Sequence, residues 1–264
     1  MEKIILPILT LAGLGFLFGI SLALAAKKFC VQRDPRINEV FSHLPGVNCG
    51  ACGMPGCFGF AEGLIKGSCK LEGCTVTEAE QRERIANILG VEVATKIKKV
   101  AVLHCNGGNK VKDRFIYYGM KDCVAANLVQ GGQKECIWGC LGFGTCEKVC
   151  PFGAIKMNKE TGLPEVDEKK CTACGRCVEI CPKGLFSLVE VNKPVYIACS
   201  SHDMGKDVMS VCSVGCIGCK KCEKACVSGE MKVIDNLAII DYEKYVNCDK
   251  TIEVCPTHSI RRRK

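Results

Sequence analysis

Aromatic side chains make up only 6% of this 264-residue chain, and there is a single tryptophan. A large core built on rings is thereby excluded, so much of the fold has to be held by something besides apolar burial. Nucleotide-binding signatures are missing too. No Gly-x-Gly-x-x-Gly follows a strand pattern, since Gly139, Gly142 and Gly144 are wrongly spaced, and no Gly-x4-Gly-Lys-Ser/Thr phosphate loop occurs. The four histidines, His43, His104, His202 and His258, are scattered, and no acid–base pair stands out. Nothing here equips the chain to turn over a substrate by itself.

What the chain has in excess is cysteine, 24 residues of it. They fall at two- and three-residue spacings, too tight for disulfides within each group and well suited to metals. Metal-binding thiolates must stay reduced, which implies a reducing compartment. The formal charge of +8 would suit nucleic acid or an acidic surface. Thiolates that hold metal are negative and offset this charge, however, so no nucleic acid is expected. Locally, Lys220, Lys221 and Lys224, and Arg261, Arg262, Arg263 and Lys264 at the end, could meet an acidic partner.

Ile4 to Ala26 carries no charge and is long enough to cross a bilayer as a helix. Lys27, Lys28, Arg33 and Arg36 follow it, which places the remainder on the cytoplasmic side of a prokaryotic cell (inner) membrane. A cleaved signal peptide competes, because Ala23-Leu24-Ala25 is a small-x-small run. The weak basic start and the thiolates downstream favour the anchor.

Asn48-Cys49-Gly50-Ala51-Cys52-Gly53-Met54-Pro55-Gly56-Cys57 sets three thiolates close together, with Cys69 and Cys74 beyond. Cys74 is the preferred fourth ligand and Cys69 the alternative; the spacing alone also admits zinc. Next, Thr77-Glu78-Ala79-Glu80 has the form of a capping box, opening a helix with Ile85, Ile88 and Leu89 on its packed face.

Two Cys-x2-Cys-x2-Cys-x3-Cys runs follow, Cys171, Cys174, Cys177, Cys181 and Cys216, Cys219, Cys222, Cys226. This is the bacterial ferredoxin spacing, in which the fourth cysteine of a run ligates the other cluster of a pair. Aligning the chain with itself supplies the partners. Val102-Leu103-His104-Cys105 matches Tyr196-Ile197-Ala198-Cys199, Cys136–Cys140 matches Cys212–Cys216, and Cys181-Pro182 matches Cys255-Pro256. The expected architecture is α+β: a transmembrane anchor over 1–26, a small four-cysteine 4Fe-4S domain over 27–94, and two tandem ferredoxin-like modules over 95–190 and 191–264.

In the first module Phe143 stands at a ligand position, and Cys136 can substitute. One cluster then uses Cys136, Cys140, Cys146 and Cys181, and another Cys150, Cys171, Cys174 and Cys177. In the second module Cys216, Cys219, Cys222 and Cys255 make one set, while Tyr245 and Thr251 replace ligands of its companion and leave only Cys226 and Cys248. Two thiolates do not hold a cubane. Four 4Fe-4S clusters are expected. Eight cysteines are left over, Cys30, Cys69, Cys105, Cys123, Cys199, Cys212, Cys226 and Cys248; singly they read as small buried hydrophobes. As a set they leave room for a fifth cluster, first around Cys105 with Cys123 or Cys199 with Cys212.

The anchor, the Cys-Gly-x-Cys-Gly-x-Pro-Gly-Cys stretch and the ferredoxin array together closely resemble the B subunit of the Rnf complex. The likeness is most specific over Asn48–Cys57, Cys136–Ala154 and Asp167–Pro182. It implies an electron-transfer subunit of a membrane ferredoxin:NAD+ oxidoreductase coupled to Na+ or H+ translocation. Its partners would be reduced soluble ferredoxin and the other membrane, flavin- or iron–sulfur-bearing subunits. It also implies the first cluster on Cys49, Cys52, Cys57 and Cys74. The alternatives are a membrane polyferredoxin serving another reductase or a transcription-factor-reducing system, and a zinc-binding interaction module.

Overall fold

The computed structural model describes residues 2–29, 34–92, 97–226, 228–245 and 248–263. Cys30, Arg33 and Lys264 lie outside the described residues. Helix α1, Glu2–Lys28, is apolar on every side, with Leu11, Phe16 and Leu22 exposed. Its stretch Ile8–Lys28 is long and apolar enough to cross a membrane.

Three short helices follow: α2 (Arg36–Ser42), α3 (Gly56–Ile65) and α4 (Ala79–Leu89). They close over Val40, Phe60 and Ile85, all fully buried, with Leu64 and Leu71. On α4, Ile85 is buried and Ile88 and Leu89 pack against the same core, as their spacing predicts. The expected capping box is not formed. Glu78 stands at the N-cap without a side-chain bond, because the Thr77 hydroxyl donates to Cys74 Sγ at 3.0 Å instead.

The rest of the chain is one pattern made twice. The first copy runs β1 (Lys99–Leu103), α5 (Cys123–Leu128), α6 (Thr145–Lys148), β2 (Ile155–Asn158), β3 (Leu163–Val166), α7 (Arg176–Ile180) and β4 (Phe186–Glu190). The second runs β5 (Val195–Ile197), α8 (Gly205–Val211), α9 (Lys221–Ala225), β6 (Met231–Ile234), β7 (Leu237–Ile240), α10 (Lys250–Glu253) and β8 (Ile260–Arg262). In each copy the outer strands pair antiparallel, Leu103 opposite Phe186 and Ile197 opposite Ile260, and the inner two form a hairpin. The β6–β7 hairpin turns through Asp235 and Asn236, both at positive φ (47° and 65°), the backbone a two-residue hairpin loop of matching twist demands. The fold is α+β.

Strands this short bury little. The core of the first copy is Val100, Ala101, Ala154, Ile155 and Phe186 with Cys146, Cys171 and Cys177. That of the second is Val195, Ile197, Met231, Ala238 and Ile260 with Cys216, Cys222, Cys226 and Cys255. In both, cysteine is part of the packing, so whatever the thiols bind also holds the fold together.

Candidate metal centres

Cys49 and Cys52 sit on the loop leading into α3, and Cys57 on the first turn of that helix. Asn48 Oδ1 accepts the Cys57 backbone N–H at 2.7 Å, which bends the loop back on itself. Gly56 has φ +91°, and a Cβ there would lie 2.7 Å from that same oxygen, so only glycine fits. Cys74 is buried in the same core, and the adjoining Gly73 approaches Cys52. Cys69 is also close to Cys52, but its thiol donates to the Phe60 carbonyl at 3.6 Å.

Among the described residues, four cysteine-lined cavities occupy the repeat. Cys150, Cys171, Cys174 and Cys177 surround one, walled by Ala101, Phe152, Ile155 and Leu188. Cys216, Cys219, Cys222 and Cys255 surround another in the second copy. In both, the structure brings together the cysteines that ferredoxin spacing groups. The third cavity is lined by Cys123, Cys140, Cys146 and Cys181 among Leu103, Met157, Leu185 and Phe186. Cys136, expected in this set, is not on its wall.

Two local devices account for the exchange. Asp122 is the N-cap of α5, accepting from the N–H groups of Val124 and Ala125, and its other oxygen takes the Thr145 hydroxyl at 2.8 Å. Thr145 in turn accepts the Cys123 N–H at 2.7 Å, which holds Cys123 against α6 and its Cys146. Trp138, meanwhile, draws the Cys136–Cys140 loop toward the second copy. Its Nε1 donates to Asp203 Oδ1 at 3.0 Å and its ring meets the His202 ring edge-on.

Cys136 consequently faces a fourth cavity, between the two copies. Cys105, Cys140, Cys199 and Cys212 line it as well. Cys140 belongs to both walls, and its N–H points at Cys105 Sγ at 3.4 Å.

Burial is the first reason these thiols hold their protons, and neighbouring sulfurs add to it. Cys146 and Cys177 are pushed up to about 12, Cys199 and Cys222 to about 11, and Cys140 higher still. Cys255 differs. Burial pushes it up, but the Ser259 hydroxyl and the N–H groups of Ile260 and Ser259 outweigh that and hold it below the ordinary thiol value.

The donor spacing bears on the metal. A single zinc with bonds of about 2.3 Å draws four sulfurs to within about 3.8 Å of one another. Among the described residues, only Cys226, Glu230 and Cys248 have three such donors all within 4.8 Å. The quartets are therefore spread wider than one ion needs, as a multi-iron core requires. The lost companion site is filled by protein: Thr251 is fully buried and donates to the Cys248 carbonyl, while Tyr245 stacks near Tyr242 and accepts the Val195 N–H at 3.1 Å.

Known proteins resemble this chain in sequence. Residues 44–76 match a family model described as "Putative Fe-S cluster", and residues 135–185 match one described as a 4Fe-4S dicluster domain. The chain is 43% identical to the B subunit of the Na(+)-translocating ferredoxin:NAD(+) oxidoreductase complex of Acetobacterium woodii, over 98% of this chain and 78% of the relative. It is 41% identical to the B subunit of the ion-translocating oxidoreductase complex of Methanosarcina acetivorans, over 97% of each.

This chain belongs to the family of Rnf B subunits. A Clostridium ljungdahlii member, named for a proton-translocating complex, is 38% identical over 99% of this chain and 93% of the relative. Other members, such as that of Aeromonas hydrophila, match only 39% of the chain. Iron–sulfur clusters are thus the cofactor class, and the wide cysteine quartets fit it.

Proposed function

We propose that this Rnf subunit takes electrons from reduced soluble ferredoxin and relays them toward the membrane subunits of an ion-translocating oxidoreductase. The observation that carries the reading is the contiguity of the thiol sites. The Arg176 guanidinium donates to the Cys49 carbonyl at 3.2 Å, and the Cys49 thiol adds to the upward push on Cys174. Cys177 and Cys146 couple in the same way, linking the Cys171 and Cys181 sites. A 4Fe-4S cluster on such a site supplies one-electron chemistry without bond making.

The residues themselves do three things. Thiolates hold the metal, the apolar walls keep water away, and backbone N–H groups aim at sulfur, as Ala101 does to Cys171 at 3.4 Å and Ala238 to Cys216 at 3.5 Å. Such bonds and the limited burial set the potential. Ligand sets on Cys49, Cys52, Cys57 and Cys74, on Cys150, Cys171, Cys174 and Cys177, and on Cys216, Cys219, Cys222 and Cys255 are supported by these groupings. Cys140, Cys146 and Cys181 form the core of another, which makes the four sites expected from sequence. We divide the chain after residues 26, 94 and 190.

Ferredoxin docking fits the Cys216 site, where Cys219 is exposed and Lys220, Lys221 and Lys224 stand around it. Helix α1 serves as a single anchor, with Lys27 and Lys28 placing the soluble part on the cytoplasmic side. The test is anaerobic stopped-flow mixing of the full chain with reduced ferredoxin. Rapid bleaching of the chain's iron–sulfur absorbance supports the reading, and no reduction on that timescale overturns it.

A further inference from the structure

We propose that Cys105, Cys136, Cys199 and Cys212 hold a fifth 4Fe-4S cluster at the junction of the two ferredoxin copies, and that Cys123 completes the Cys181 site in place of Cys136. The proposal rests on the reading of the chain as a cluster carrier.

Counting the walls gives the assignment. The junction cavity and the Cys181 cavity together are lined by eight cysteines, and only Cys140 touches both. Placing Cys140 with Cys123, Cys146 and Cys181 leaves four thiols for each cavity. Placing it at the junction leaves five and three. Cys136 stands on the junction wall beside the Trp138–Asp203 bond, and Cys123 stands on the Cys181 wall, its N–H held by Thr145.

The four junction cysteines are two pairs of repeat equivalents. Cys105 follows β1 as Cys199 follows β5, and Cys136 precedes Cys140 as Cys212 precedes Cys216. Each copy thus supplies the same half-site, and the two halves face each other. Small residues let them close: a Cβ on Gly107 would meet Cys212 Sγ at 3.5 Å and Cys105 Sγ at 3.9 Å, and one on Gly215 would strike Val208 and meet Cys199 Sγ at 3.8 Å. Other polar groups on the wall are engaged elsewhere. Both His104 nitrogens are bonded, to the Ile197 carbonyl and Ser187 Oγ, and both Asp203 oxygens are bonded, to Trp138 and Ser201. The four thiols are free of disulfides, and no three of them lie within the 4.8 Å that would suit a single ion.

Position gives the site its use. Cys199 couples to Cys216 on one side and Cys140 touches Cys105 on the other. A cluster here joins the Cys181 and Cys216 sites, which flank the junction cavity, into one row through both copies.

The test uses the full chain, loaded anaerobically and analysed for iron, sulfide and zinc. Five clusters give about twenty irons per chain. About sixteen irons, or sixteen with one zinc, overturns the proposal, while near-zero iron overturns the carrier reading itself. Native alkylation mapped by mass spectrometry needs no variant. Protection of Cys105, Cys123, Cys136, Cys199 and Cys212 in the loaded protein is expected, and labelling of any of them at the rate of the denatured chain overturns the assignment. In Cys199→Ser, iron should fall by about four per chain, with Cys105, Cys136 and Cys212 becoming reactive and Cys123 still protected. Cys123→Ser should expose Cys146 and Cys181 and leave Cys136 protected. The reverse pattern would return Cys136 to the Cys181 site.

Discussion

Arg176 Nε donates to the carbonyl of Cys49 at 3.2 Å, and with Thr75 Oγ1 on the Ala173 carbonyl it ties the helical unit to the first ferredoxin copy. A hydrogen bond from a charged donor contributes about 1.5 kcal/mol when partly exposed. Arg176→Ala should leave the iron content unchanged while slowing electron exchange between the Cys49 and Cys171 sites. Freeze-quenched EPR after a reductant pulse checks this, and unchanged kinetics would show that the docking does not depend on the guanidinium.

The Thr77 hydroxyl spends its proton on Cys74 Sγ. Donation to a ligand sulfur stabilises the more negative, reduced state of a cluster. Thr77→Val keeps the shape and removes the donor, so the potential of the Cys49 site should become more negative, with a stability loss of about 1 kcal/mol. A redox titration followed by EPR reads the first effect and thermal unfolding the second.

Thr77 also shows where local sequence reading stops. Its position and that of Glu80 have the form of a cap, but a thiol three residues upstream competes for the same hydroxyl. The ferredoxin runs were legible because ligand and spacing are one signal, and so was the repeat, down to the pairing of Cys105 with Cys199. The partner of Cys140 was not. Cys136 lies four residues before it and Cys123 seventeen before, yet it is Cys123 that shares the wall of the Cys181 cavity with Cys140, while Trp138 reaches Asp203 across the two copies. That is a contact of the folded molecule. A nearer clue, Asp122 placed as an N-cap before Cys123, is visible in the sequence but carries no metal signal of its own.

The thiol environments fix the pH dependence of loading. Cys146 and Cys177 at about 12 and Cys199 and Cys222 at about 11 are raised by burial, so at neutral pH each keeps its proton until metal displaces it. Loading should therefore release protons and strengthen as pH rises toward 9, and acidification should strip clusters, as followed by visible absorbance. Cys255 and Cys222 make an internal control, being 8% and 7% exposed. In the metal-free chain at mildly alkaline pH, Cys255 should be alkylated faster, because its hydrogen bonds favour the thiolate.

Lys220, Lys221 and Lys224 are exposed beside Cys219. Reversing all three to Glu should lower the association rate with an acidic ferredoxin by about tenfold or more at low ionic strength, with little effect at high salt. A salt-independent loss would point to a disturbed Cys216 site instead, which iron analysis would reveal.

The missing companion site can be asked for back. Tyr245 and Thr251 stand at the two ligand positions on either side of Cys248, and Cys226 is buried on the facing helix end. Tyr245→Cys with Thr251→Cys would restore a ferredoxin run whose crossing partner is already present. The change removes the ring beside Tyr242 and the acceptor for Val195 N–H, so the metal-free variant should be less stable by about 3 kcal/mol, as expected for opening a cavity where an aromatic packed. Loading should return that stability and add about four irons per chain. Destabilisation without extra iron would show that Glu230, buried between Cys226 and Cys248 with all three donors within 4.8 Å, has committed the pocket to a single small ion or to none.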